Sequence, residues 1–266
     1  MNHFVVMALV ATLGTWFVTA LGAATVVFFT SPDPKGLNVM LGFSSGVMIA
    51  ASFWSLLQPA IERAEEVSDL PGYLVATVGF LSGALFLWAS DKAVTLARRK
   101  ADLTEGRTNE GLRRIVMLIL SITLHNIPEG LAVGVAFGAL GSGCEAEAVT
   151  GAISVAVGIG LQNFPEGAAV SVPLRREGYS RRRSFLMGQA SGMVEPVAGV
   201  LGAVLVVYVE AILPYALSFA AGAMVLVAVH ELIPECQRNR EAQPYLATMG
   251  IVLGFAAMML LDVMLG

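Results

Sequence analysis

The chain has 266 residues, 56% of them hydrophobic and 14% charged, with a mean hydropathy of +0.74 and a formal net charge of −4. Soluble domains carry about 25% charged residues, so this composition excludes one and indicates a polytopic membrane protein. Two cysteines, Cys144 and Cys236, cannot build a disulfide framework and read as incidental thiols. A membrane-crossing helix needs about 20 mostly apolar residues. The chain divides into eight such stretches, at about 4–30, 37–61, 71–91, 114–138, 147–173, 184–209, 212–235 and 244–264. Pro32-Asp33-Pro34, Pro71-Gly72, Gly141-Ser142-Gly143 and Gln243-Pro244 punctuate them. The first stretch has no Lys or Arg before it and exceeds a signal-peptide core in length, so it is expected to be a retained span. The expected fold is all-α: one transmembrane domain of eight helices over residues 1–266, with one long charged loop at about 92–113, expected to be mobile.

The charges orient these spans. Lys35, the cluster from Lys92 to Arg114, the cluster Arg175, Arg176, Arg181, Arg182 and Arg183, and the pair Arg238 and Arg240 hold 15 of the 16 Lys and Arg, all on one side. Only Arg63 lies on the other side. Positively charged loops stay cytoplasmic, which places both termini outside. A count of seven or nine spans would destroy this separation. The basic runs read as topology signals rather than as sites for nucleic acid or particular lipids. Membrane lipids are the expected surroundings.

Two apolar spans carry one polar motif each: His125-Asn126-Ile127-Pro128-Glu129-Gly130 and Gln162-Asn163-Phe164-Pro165-Glu166-Gly167, 37 positions apart. A charged group in hydrocarbon costs roughly 2.5–3.5 kcal/mol on insertion scales. Imidazole, amide and carboxylate donors together form the ligand chemistry of a divalent-metal site. His125 follows Arg114 by 11 residues, about 17 Å of helix rise. Gln162, Glu195 and Met48 lie 13, 12 and 13 residues from Arg175, Arg183 and Lys35, roughly 18–20 Å from the same face. All four share a level near the middle of a core about 30 Å thick, the level at which secondary transporters place substrate. His125 and Glu129 share a helix face, as do Gln162 and Glu166. Pro128 and Pro165 free the carbonyls of Leu124 and Leu161 and are expected to kink both helices. One such proline, or one buried amide, is commonly structural, and Met48 on spacing alone reads as packing; the repeated set is a different case.

These motifs resemble those of the ZIP family of divalent-metal transporters, in its GufA-like prokaryotic branch. HNIPEG and QNFPEG are similar to the family's signatures in spans four and five, Gly192-Met193-Val194-Glu195-Pro196 to the span-six Glu-Pro, and His230-Glu231-Leu232-Ile233-Pro234-Glu235 to the span-seven motif. The resemblance implies a binuclear site. His125, Glu129, Gln162 and Glu166, with Met48 beside them, would hold one metal; Asn126, Asn163, Glu166 and Glu195 would hold the second, with Glu166 bridging. It also implies a homodimer and alternating access. Some members carry Asp at the position of Asn163, and the neutral amide lowers the charge of the second position. The loop 92–113 holds no His, unlike the His-rich loop of many members. Asp91, His230 and Glu231 are implied as an exit station, although Asp91 can equally pair with a neighbouring Lys or Arg. Outside, Glu62, Glu65, Glu66 and Asp69 form either a cation-concentrating vestibule or a solvated helix end.

The expected function is import of Zn²⁺ or a similar divalent ion, with no catalytic cofactor. Nitrogen and oxygen donors admit Zn²⁺, Cd²⁺, Fe²⁺ and Mn²⁺ alike. No thiolate sits in the cluster, and weak amide ligands suit an ion that must leave. Binding is expected to displace protons from His125 or a buried glutamate. A channel-like mechanism is the nearer alternative. An intramembrane metalloenzyme is the other: His230-Glu231 begins like HExxH, but position 234 is Pro, so the second His is missing.

Overall fold

The computed structural model describes residues 2–28, 34–104, 110–142, 146–176, 178–237 and 244–265, with the side chains at 28, 34, 97–122, 142, 146, 147, 176, 210, 244 and 265 outside that description. Cys144, Arg238 and Arg240 therefore lie outside the described residues. The backbone is helical almost throughout, with no strand among the described residues. The first helix, α1 (His3–Ala23), opens on Asn2, whose side chain accepts from the Phe4 amide at 3.3 Å. Its buried residues Val5, Ala8, Thr12, Thr15, Thr19 and Gly22 recur every three or four positions, while Val6, Val10, Leu13, Phe17 and Leu21 point outward. The polar stripe faces the protein and the apolar stripe faces outward, the arrangement a lipid surround selects.

The second helix, α2, is one rod built from Pro34–Ala51, a π-helical turn Ser52–Leu57 and Gln58–Val67. The third, α3, spans Gly72–Thr104. Residues 92–104 are thus helix, not the expected loop. Ala, Leu, Lys and Arg dominate this segment, with neither Gly nor Pro before Gly106, so strong helix formers carry the rod out of the core. Helix α4 (Glu110–Ala139) contains Pro128 and α5 (Ala146–Arg176) contains Pro165 and Pro173; both remain helical through them. Gly178, at φ 91°, makes the turn into α6. Helix α6 is discontinuous, Arg181–Ser191 and then Val194–Tyr208, interrupted at Gly192-Met193. Helix α7 runs as Leu213–Val227, a second π-helical turn Ala228–Leu232, and Ile233–Gln237. Helix α8 is Pro244–Leu265. Among the described residues, seven of these helices are long and apolar enough to cross a membrane. The remaining expected span lies in α4, whose first turns carry no described side chains. The chain is an all-α, multi-pass membrane protein.

The helices pack as two sets. In one, α4 lies along α6 and α1 along α5; in the other, α2 lies along α8 and α3 along α7. Small residues let these backbones touch. A Cβ on Gly46 of α2 would overlap the Ile251 carbonyl, and one on Gly254 of α8 would overlap that of Phe43. The same holds for Gly134 against Gly199 and for Gly22 against Phe164. These tight seams lie inside the two sets. Between the sets, α2 meets α5 and α4 meets α7; the Ser44–Glu166 and His125–Glu231 contacts cross that boundary, while Asn126, Asn163 and Glu195 bond within the first set.

Candidate metal centre

Six helices supply the buried polar layer, α1 among them through Thr15 and Thr19. From α4 come His125, Asn126 and Glu129; from α5, Gln162, Asn163 and Glu166; from α6, Glu195. All seven are buried, five of them completely. The carboxamide Nε2 of Gln162 donates to Glu129 Oε1 at 2.5 Å. Asn163 Nδ2 donates to Glu195 Oε2 at 2.8 Å. Ser44 of α2 donates to Glu166 Oε1 at 3.1 Å. Met48 is fully buried one helical turn beyond Ser44. His125 Nε2 and Glu231 Oε1 of α7 are 2.6 Å apart. The sequence grouping of His125 with Glu129 therefore holds for their common helix, while the imidazole itself meets α7. Glu195 sits in the first turn after the break in α6, and the Ser191 carbonyl freed there accepts from Asn126 Nδ2 at 3.0 Å. Broken helices at this depth are tolerated where they line a site.

The three carboxamides share one feature. Each nitrogen is engaged by a protein acceptor: Asn126 on the Ser191 carbonyl, Gln162 on Glu129, and Asn163 on Glu195 and the Thr15 carbonyl. Each oxygen (Asn126 Oδ1, Gln162 Oε1 and Asn163 Oδ1) is buried without a hydrogen-bond partner, as is Glu129 Oε2. A buried unsatisfied acceptor costs about 1–3 kcal/mol. Four in one layer constitute a donor set fit for a cation. Among the described residues, no three His, Cys, Asp or Glu side chains form a metal-holding group by themselves, and the unpartnered amide oxygens are the further donors beside them.

Comparison with known proteins agrees with this chemistry. The family model described as ZIP Zinc transporter matches residues 100–262. The protein named Zinc transporter ZIP11 from Homo sapiens is 41% identical, with 98% of each chain covered. Zinc transporter GufA from Myxococcus xanthus is 36% identical over 97% of this chain and 98% of its own. Zinc transporter ZIPB from Bordetella bronchiseptica is 35% identical over 93% of this chain and 78% of its own. The chain belongs to the ZIP family.

These ZIP relatives are transporters by name, not enzymes. The remaining sequence candidates also find places in this ZIP chain. Asp91 of α3 and His230 and Glu231 of α7 line one small cavity, about 50 Å³, with Leu87, Trp88, Leu226 and Val227. Glu231 thus touches both the buried centre and that cavity. At the opposite end, a cavity of about 550 Å³ lies between the sets, with Glu62, Arg63, Ser55 and Asp262 in its lining. Asp262 accepts from Ser154 at 2.6 Å and from Ser55 at 2.8 Å. Arg63 pairs with Glu66 at 2.6 Å, so the expected acidic cluster is partly neutralised. Sequence reasoning missed the hydroxyls. Thr15 and Thr19 of α1 both reach Glu195, and Ser44 reaches Glu166. Threonines at 12, 15 and 19 in an otherwise apolar span were the available signal.

Proposed function

We propose that this chain is a plasma-membrane importer of divalent metal, with Zn²⁺ as its principal cargo, both termini outside and a homodimer as its assembly. The observation that carries this reading is the buried layer in which three carboxamides expose their oxygens beside three glutamates and His125. Its transporter character is supported by the names of the relatives. Two overlapping donor sets suit a binuclear centre. The first comprises His125, Glu129, Gln162 and Glu166, with Met48 near; the second comprises Asn126, Asn163, Glu166 and Glu195. Cd²⁺, Fe²⁺ and Mn²⁺ satisfy the same donors.

The packing supports alternating access as the mechanism. The donors other than Met48 ride on α4, α5 and α6, which with α1 form one tightly seamed set. Ser44, Glu231 and Asp262 belong to the other set and reach across the boundary. Breaking and remaking such few polar links lets one set move against the other while the site stays intact. The link from His125 to Glu231 gives the ion a next partner in the small cavity shared with Asp91 and His230, the exit route toward the cytoplasm.

The test is metal uptake by the purified protein in liposomes. Saturable Zn²⁺ uptake that Glu129→Ala abolishes is expected. Flux linear in concentration would favour a channel, and no metal flux at all would overturn the proposal.

A further inference from the structure

We infer that Thr15 is a positioning residue for the second metal position, an inference that rests on the binuclear reading above. Its hydroxyl lies 2.6 Å from Glu195 Oε2 and 3.1 Å from the Thr12 carbonyl. A hydroxyl has one proton, and the carboxylate is the nearer and stronger acceptor. Its carbonyl, one bond set away, accepts from Asn163 Nδ2 at 3.2 Å. Asn163 Nδ2 spends its other proton on Glu195 Oε2 at 2.8 Å. The result is a closed triangle between α1, α5 and α6 in which every donor is used.

This triangle decides which end of Asn163 meets an ion. In the observed orientation, both amide protons are satisfied and Oδ1 is bare and buried. Turned over, the amide would place its oxygen against both Glu195 Oε2 and the Thr15 carbonyl, two acceptor-acceptor contacts, and would bury its protons unpaired. Thr15 therefore fixes two ligands at once: the rotamer of Glu195 through its hydroxyl, and the polarity of Asn163 through its carbonyl and through the carboxylate it holds. Thr19 adds a longer contact to Glu195 Oε1, at 3.4 Å. Thr12, on the same buried stripe, donates only within α1, to the Ala8 carbonyl at 2.8 Å and the Leu9 carbonyl at 3.2 Å. Three threonines that look alike in sequence thus have graded relations to the site.

The experiment is calorimetric titration of Cd²⁺ into the full-length protein in detergent, comparing wild type with Thr15→Val, Thr15→Ser, Thr19→Val and Thr12→Val. Valine keeps the branched shape and removes the hydroxyl. Thr15→Val is expected to weaken the second ion by about ten-fold, because Glu195 and Asn163 released from the triangle hold the binding arrangement only about a tenth of the time, while the first ion binds as before. Thr15→Ser restores the second ion, Thr19→Val shows a smaller loss, and Thr12→Val matches wild type. A purely structural role would move Thr12→Val and Thr15→Val together and both ions together, and that pattern overturns the inference. So does a Thr15→Val protein with both affinities unchanged, or a Thr15→Ser protein as impaired as Thr15→Val. A wild-type protein that binds a single ion overturns the binuclear reading instead, and this inference with it.

Discussion

Asn163→Asp is the substitution whose outcome the structure changes most. On sequence grounds it merely adds a negative charge beside an ion. In the fold, Asn163 Nδ2 is a donor, 2.8 Å from Glu195 Oε2 and 3.2 Å from the Thr15 carbonyl. Aspartate replaces that donor with an oxygen, so two hydrogen bonds become two acceptor-acceptor contacts in a site with no exposed surface. Two unit charges about 4 Å apart at an effective dielectric near 20 repel by about 4 kcal/mol. A divalent ion placed between them reverses the sign. The metal-free protein loses stability while the metal-bound form gains attraction, so both effects favour tighter binding. We expect the metal-free variant to melt at a lower temperature than wild type, its Zn²⁺-induced stabilisation to be larger, and its KM for uptake to fall by about ten-fold or more, since each ten-fold corresponds to about 1.4 kcal/mol. Maximal rate should be unchanged or reduced, because release becomes harder. The assays are thermal melts with and without Zn²⁺ and concentration-dependent uptake of Zn²⁺ and Cd²⁺ in liposomes at matched protein density. Equal metal-free stability together with an unchanged KM for both ions would refute the reasoning.

The other predictions follow from single observations. Glu166→Ala should abolish uptake and lower metal stoichiometry at normal expression, because this carboxylate is shared by both proposed positions; near-normal uptake would remove the bridge. Gly46→Ala should destabilise the protein by about 1–3 kcal/mol or more, because the new Cβ meets the Ile251 carbonyl on α8; an unchanged melting temperature would show that the α2–α8 seam is not tight. A Cys placed at Ser142 should react with impermeant reagent from outside and one at Thr104 should not, since the proposed topology puts the basic segments in the cytoplasm; the reverse labelling would invert the orientation. Glu231→Gln should slow uptake more than it raises KM, as His125 loses a charged partner across the boundary; an equal change in both would place Glu231 among the primary ligands.

Much of this architecture was legible because hydrocarbon is an exacting solvent. Apolar length marks the spans, and polar groups within them stand out, so His125, Gln162, Glu195 and Met48 read as one level from depth, with Glu129 and Glu166 joined to them by a shared helix face. The hydrophobic criterion says nothing where a helix leaves the membrane, so 92–104 reads as loop by hydropathy although its composition is that of a helix. Contacts between distant parts of the chain were the hardest to see. Nothing in the local pattern of His125 indicates that its imidazole meets Glu231, more than 100 positions away. The reach of Thr15 to Glu195 was equally hidden, because a threonine in a span can satisfy itself on its own helix, as Thr12 does. The π-helical turns in α2 and α7 each end two residues before a proline, Pro59 and Pro234, which cannot donate to the α-helical ladder, and the second turn carries His230 and Glu231.

The central claim is that cargo metal sits among the bare amide oxygens at the midplane. A structure determined with Cd²⁺, located by anomalous scattering, tests it directly. The account predicts anomalous density within coordination distance of Glu129 Oε2 and Gln162 Oε1, with a second peak near Asn163 Oδ1 and Glu195. Density confined to the outer acidic residues around Glu62 and Asp262, with the midplane empty at saturating Cd²⁺, would contradict it.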